Sequence, residues 1–167
     1  MTDNLIYEER VSSDWTEALF SGFTILFLIL LIWRMSTGSP DILSVAFFFF
    51  FVFFFFYSVN YRTLIIRLTP ESLKLKFGIF TWTILLDNVE DYRLDDLPML
   101  MKYGGAGIHF MLIRGRYRAS FNFLEYPRVV IALKRKAGLV CDISFSTRRP
   151  NEVIQHLKDA ISASSAT

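Results

Sequence analysis

The chain has 167 residues, enough for one ordinary domain plus a smaller element but short for two full domains. Its formal charge of +2 is unevenly spread: residues 1 to 59 hold two arginines against six carboxylates, a net of −4, and the remainder holds 16 basic and 10 acidic side chains, a net of +6. That modest surplus comes with no nucleic-acid-binding motif, which argues against such a partner, and the lone cysteine, Cys141, excludes an intramolecular disulfide.

Residues 1–17 read as an acidic N-terminal segment, "TDNLIYEERVSSDWTE". The uncharged run "ALFSGFTILFLILLIW", Ala18 to Trp33, follows and predicts a membrane span over about 18–35. An acidic flank and the lack of a small-residue cleavage site argue against a secretory signal. "RMSTGSPD" supplies a Gly/Ser/Pro turn. The next run, "ILSVAFFFFFVFFFFYSV", has nine phenylalanines in ten consecutive positions and no polar face at either the helical or the strand period. Its surroundings must be apolar on every side, so a second span is expected over about 41–59, the pair forming a hairpin over 18–59. The alternative is a hairpin dipping into one leaflet.

Orientation follows from the flanking bases. The connecting loop carries only Arg34, whereas Arg62, Arg67, Lys74 and Lys76 follow the second span and Arg10 precedes the first. An integral plasma (inner) membrane protein with both termini cytoplasmic is the expectation, a reducing setting that one cysteine suits. Cys141, in the alternating "LVCDISF", is expected to be a buried small residue rather than a nucleophile.

Residues 60–163 change texture to short strand patterns. "RTLIIRLT" and "LKLKFGIF" alternate, with Leu73, Leu75 and Phe77 on one face, Lys74 and Lys76 on the other, and Gly78 marking a hairpin. "TWTILLDNVEDYRL", "GIHFMLIRG", "RYRASFNFLEY", "RVVIALKRKAG" and "LVCDISFST" bring the count to about seven antiparallel strands. "RRPNEVIQHLKDAISA" predicts a helix: Pro150 suits the first position, Glu152 the positive helix end, and Val153, Ile154, Leu157, Ala160 and Ile161 form one apolar stripe. Residues 164–167 read as a disordered tail.

The stretch "LTPESLKLKFGIFTWTILLDNVEDYRL", with "GGAGIHF" and the closing "STRRPNEVIQHL", resembles the bacterial pleckstrin-homology-like (PH-like) domains found behind one or two membrane spans. The likeness covers about residues 63–160, and its motifs are structural. It implies an α+β PH-like domain, a seven-stranded barrel or sandwich with a C-terminal amphipathic helix. Ser72 stands where that family often has Gly, and Arg149 where a capping Asp is common, leaving Thr147 as the substitute cap.

Catalytic chemistry finds no foothold, and the chain reads as non-enzymatic, with no cofactor. His109 and His156 lack neighbours at metal-ligand spacing, and the glycines of "YGGAGIHF" lack the Lys-Ser/Thr and helix of a phosphate loop. Glu90, Asp91, Asp95 and Asp96 read as a solvated edge. Two basic clusters are the candidate anion or lipid contacts: Arg114, Arg116 and Arg118 around Gly115, and Lys134, Arg135 and Lys136 before Gly138. Guanidinium groups hold phosphate oxygens in pairs, and an anionic leaflet lies close if the domain is tethered to it. The expected role is a membrane-anchored, non-catalytic binding module whose ligand is a protein partner or an anionic head group. The alternative is an accessory or assembly subunit of a larger membrane complex, or a homo-oligomer, packed through a small patch at Ser21 and Gly22.

Overall fold

The computed structural model describes residues 4–38, 40–97 and 106–164. The chain forms two units: Ser13–Arg62 is one, and the segment ending at Ser12 joins the chain from Thr63 onward as the other.

In the first unit, helix α1 (Asp14–Thr37) begins where extended Ser13 accepts the N–H of Thr16 at 3.0 Å, with Asp14 and Glu17 in the positive first turn. Helix α2 (Ile42–Asn60) begins at Asp41, whose carboxylate accepts the Ser44 N–H (3.1 Å) while its own N–H donates to the Ser44 hydroxyl (3.4 Å), a reciprocal capping box. Arg34, in the last turn of α1, pairs with Asp41 across the connection. The helices meet through aromatic rings. Phe27 stacks on Phe54 (5.5 Å between centroids) and Phe50 (5.0 Å), and Phe20 meets Tyr57 (5.3 Å). The Ser21 and Ser58 hydroxyls lie 3.2 Å apart, so Ser21, expected to face other chains, is used within the pair, while Gly22 faces open space. Phe48, Phe49, Phe53 and Phe55 point outward, Phe49 with 66% of its surface exposed. Both helices are long and apolar enough to cross a membrane.

Among the described residues the second unit holds nine strands in two sheets. Strands β1 (Tyr7–Ser12), β2 (Thr63–Leu68), β3 (Ser72–Phe77) and β4 (Phe80–Leu85) form an antiparallel sheet in that order. Strand β5 (Val89–Leu94) pairs with β8 (Arg128–Ala137), which is followed by β9 (Val140–Ser146), β7 (Arg116–Asn122) and β6 (Gly107–Ile113). The expectation was about seven antiparallel strands in a barrel or sandwich; among the described residues there are nine, one neighbouring pair of them parallel, in two sheets, and no closed barrel is seen. Three features account for the difference. Residues 7–12, expected to lie in a separate N-terminal segment, form β1, with Ser12 opposite Thr63. "TWTILLDNVEDYRL" is broken by a 3-10 turn, Leu86–Asn88, which sends its halves to different sheets. Strand β9 lies between β8 and β7, which makes it parallel to β7, with Arg118 opposite Asp142.

The core lies between the sheets, where Phe77 of β3 meets Phe121 of β7 (6.2 Å) and Phe123 (5.2 Å), all at most 1% exposed. Emptying the Phe77 position would cost about 3–5 kcal/mol, the usual penalty for a buried Phe→Ala change. Helix α3 (Pro150–Ser164) buries Val153, Leu157 and Ala160, with Ile154 and Ile161 half-buried beside them, the stripe its spacing predicts. Thr147 does not cap the helix in the ordinary way. Its hydroxyl accepts the N–H of Arg149 (3.0 Å) and donates to Glu9, while the Arg149 carbonyl accepts the first helical N–H, from Val153 (3.1 Å). Ser164 ends α3, and the expected tail beyond it lies outside the described residues.

Candidate functional site

The candidate contacts lie on two hairpin tips. Arg114 and Gly115 form the two-residue turn between β6 and β7, with φ of 50° and 78° respectively. Positive φ at both positions matches the hairpin turn whose twist suits antiparallel strands, but an arginine in the left-handed region is strained. The Arg114 side chain is 70% exposed and its guanidinium lies 3.2 Å from Asp96. Arg116 is partly exposed, donates to Asp142 (2.9 Å) and lies 3.8 Å from Glu90; its bond to Asp142 raises its affinity for the proton.

Arg118 is not a surface contact. Its side chain is 6% exposed and faces the interior with three other charges: Asp95 at 3.2 Å, Asp142 at 3.8 Å, and Arg128, which lies 2.8 Å from the second Asp95 oxygen. Burial lowers the Arg128 pKa, the Asp95 carboxylate opposes that shift, and Arg118 adds to it. The Asp95 side chain, expected on a solvated edge, is buried, whereas Glu90, Asp91 and Asp96 are exposed. The hidden signal was compensation. Arg118 is safe inside because β9 places Asp142 beside it and the chain after β5 brings in Asp95, neither close to it in sequence.

A second basic tip ends β8. Lys134 donates to the Asp87 carbonyl (2.9 Å), and Arg135 lies 3.3 Å from the Asp87 carboxylate. The Arg135 N–H and C=O both bond the Asn88 side chain, at 2.7 and 3.0 Å. Lys136 is exposed. Arg135, Lys136 and Asn88 border a cleft of about 360 Å³ whose apolar wall includes Trp82, Ile84, Leu133 and Ile143. Strand β4, which lines one side, is an edge strand, pairing only with β3 among the described residues. Such an edge can take an added strand, with the cleft accepting an apolar side chain and the two cations an acidic one. Sequence reading pointed to the basic tip but not to the cleft, which depends on Trp82 and Ile84 arriving from the other sheet.

Both tips lie at the end of the second sheet away from Ser12. At the opposite end of the second sheet, Arg148 donates to the Ser12 carbonyl (3.0 Å), Tyr126 donates to the same oxygen (2.9 Å), and the Arg148 guanidinium lies over the Tyr126 ring (5.2 Å). The Thr147 N–H bonds Pro127, and the Phe123 N–H bonds Ser146, so the ends of β7 and β9 and the start of β8 gather there. From that end, seven-residue β7 reaches its tip after about 20 Å and ten-residue β8 after about 30 Å, at 3.3 Å per residue.

Cys141 is half-buried on β9 rather than enclosed, its neighbour Asp142 taking the interior position. His109 bonds the Ala106 carbonyl (3.0 Å), and among the described residues no three His, Cys, Asp or Glu side chains are placed to hold a metal. Tyr103, Gly104 and Gly105 of the glycine-rich loop lie outside the described residues. Comparison with family models, curated proteins and solved structures finds no match to this chain.

Proposed function

We propose that this chain is a membrane-anchored, non-catalytic PH-like binding module that acts at the cytoplasmic face of the plasma membrane and presents the cleft beside the β8–β9 tip to a protein partner. The observation that carries the reading is the pairing of Ser12 with Thr63: the chain leaves one sheet, forms two helices apolar on every face, and returns to the neighbouring strand. Two spans satisfy that pairing because they bring the chain back to the side from which it left. The outward phenylalanines favour lipid over water, each by about 0.3 kcal/mol on an insertion scale. Arg62, Arg67, Lys74 and Lys76 favour the cytoplasmic side for the sheets, and two sheets ending in an amphipathic helix support the PH-like likeness read from the motifs.

The protein ligand is preferred to a head group because the apolar cleft and the β4 edge beside the tip suit a peptide side chain and an added strand. In the exposed tips, moreover, Arg114, Arg116 and Arg135 already face carboxylates. Two experiments test the reading. With Cys141→Ser as background, a membrane-impermeant maleimide applied to intact cells should label Gly38→Cys, whereas Leu139→Cys should react only after permeabilisation; the reverse pattern overturns the orientation. A photo-crosslinker at Leu139 should give a protein adduct that Arg135→Glu with Lys136→Glu abolishes; a lipid adduct at that position would return the head-group version.

A further inference from the structure

The tip between β3 and β4 carries a small apolar group, and its position gives that group a use. Gly78, at φ 50°, and Ile79 make the turn, and Phe77 and Phe80 pair across it. Ile79 is 71% exposed and Phe80 39% exposed. The register fixes which end of the sheet this is: Ser12 opposes Thr63, Val11 opposes Leu64, Leu64 opposes Phe77, and Phe77 opposes Phe80. The tip therefore shares its end of the sheet with both chain connections to the helices. With neighbouring strands about 4.8 Å apart, Ile79 stands within roughly 10–15 Å of Thr63 across the sheet. Ser13 is already the cap of α1, and only Tyr61 and Arg62 separate α2 from β2, so neither connection is long. Exposed Arg10 and Lys76 lie towards the same end, both opposite Ile65, with Glu8 3.2 Å from Arg10.

We propose that the β3–β4 tip is a third membrane anchor, Ile79 and Phe80 entering the head-group layer of an anionic leaflet while Lys76 faces its phosphates. An apolar tip beside a cation is what a bilayer interface holds, and lipid is the occupant that the nearby connections supply. The inference rests on the membrane-spanning reading. Its consequence is a third attachment of the sheet unit to the bilayer, beside the two chain connections.

The full chain carrying Cys141→Ser, reconstituted in vesicles of phosphatidylglycerol and phosphatidylcholine, provides the test. An environment-sensitive fluorophore is attached at Ile79→Cys, at Leu139→Cys on the far tip, or at Phe53→Cys within α2. The Ile79→Cys label should show blue-shifted emission and lose intensity with lipids bearing a nitroxide near the head group, and the Leu139→Cys label should do neither. A Phe53→Cys label quenched from the bilayer centre, beside an Ile79→Cys label that behaves like Leu139→Cys, would overturn the anchor while leaving the spans in place. Absence of quenching at Phe53→Cys would instead overturn the spanning reading beneath it. A blue shift at Ile79→Cys without nitroxide quenching would place protein rather than lipid on the tip and would also overturn the proposal.

Discussion

The carboxylate of Glu9, on the strand before α1, accepts the hydroxyl of Thr147, which lies 138 residues further along the chain at the approach to α3. The same carboxylate accepts the Tyr7 hydroxyl (3.0 Å) and the Arg148 N–H (2.9 Å), and Glu9 is 8% exposed. The segment ahead of the helical pair is thus fastened to the end of the sheet unit. Glu9→Ala should leave three donors without an acceptor, two of them on buried side chains, and cost about 2–6 kcal/mol, since each buried group left unsatisfied costs about 1–3. Glu9→Gln, which keeps one acceptor oxygen, should cost less. Denaturant unfolding of the full chain in detergent, followed by near-ultraviolet circular dichroism, measures both; equal stability of Glu9→Ala and wild type would show the cluster to be dispensable.

Because Ser12 and Thr63 already oppose each other, the helices are a detour between adjacent strands. Replacing residues 13–62 with Asn-Gly should turn β1 and β2 into an ordinary hairpin and yield a soluble, cooperatively folded domain. A fragment that starts at Thr63 should fare worse, because it strips β1 from the sheet, uncovers the β2 edge and removes buried Tyr7, Glu9 and Val11. Size-exclusion chromatography of the two shortened chains decides the matter: monomeric behaviour of the Thr63 fragment would deny β1 its structural part.

These two cases mark how far the sequence could be read. The helical pair was legible because uncharged runs of 16 and 18 residues have no polar face to offer water, and α3 because its stripe repeats at helical spacing. Strand β1 was not: its inward positions are Tyr7, Glu9 and Val11, and a carboxylate in the middle of the triplet erases the apolar alternation. Thr147 and Arg148, remote in sequence, join Tyr7 in making that position habitable. Arg118 misled for the same reason. On the page it is the third arginine of a basic turn; in the fold it follows the alternation of β7 inward, to carboxylates supplied by β9 and by the chain after β5.

The three arginines of that turn should therefore respond differently. Arg118→Ala leaves Asp95 and Asp142 buried with fewer partners and should cost about 3–5 kcal/mol, the usual penalty for removing half of a buried pair. Arg114→Asn removes a pair whose side chains are 70% and 64% exposed, while placing an Asn-Gly sequence in a turn that needs positive φ at both positions. Relief of the left-handed strain should make that variant more stable by about 0.5–1 kcal/mol, less than the full left-handed penalty because the change is partial. Chemical denaturation of both variants would test the assignment, and a loss at Arg118→Ala no larger than that at Arg116→Ala would mean that Arg118 is not committed to the interior.

Tyr7 supplies a pH dependence of definite sign. Burial first, and then the neighbouring Glu9 carboxylate, push its phenol above the ordinary tyrosine value of 10.0. A raised pKa favours the protonated form in the folded chain, so the contribution is fully present below the unfolded value and is lost as pH rises through the folded one. Above about pH 10 the unfolded chain holds one proton fewer than the folded chain, and stability should fall by up to about 1.4 kcal/mol per pH unit from this group. Tyr7→Phe removes the titration along with one donor to Glu9. The variant should start less stable near neutrality yet decline less steeply above pH 10, so the two curves of unfolding free energy against pH should converge. Parallel curves between pH 9 and 11.5 would show that Tyr7 ionises alike in both states, and so that the strand before the helices does not hold it against Glu9 as the structure has it.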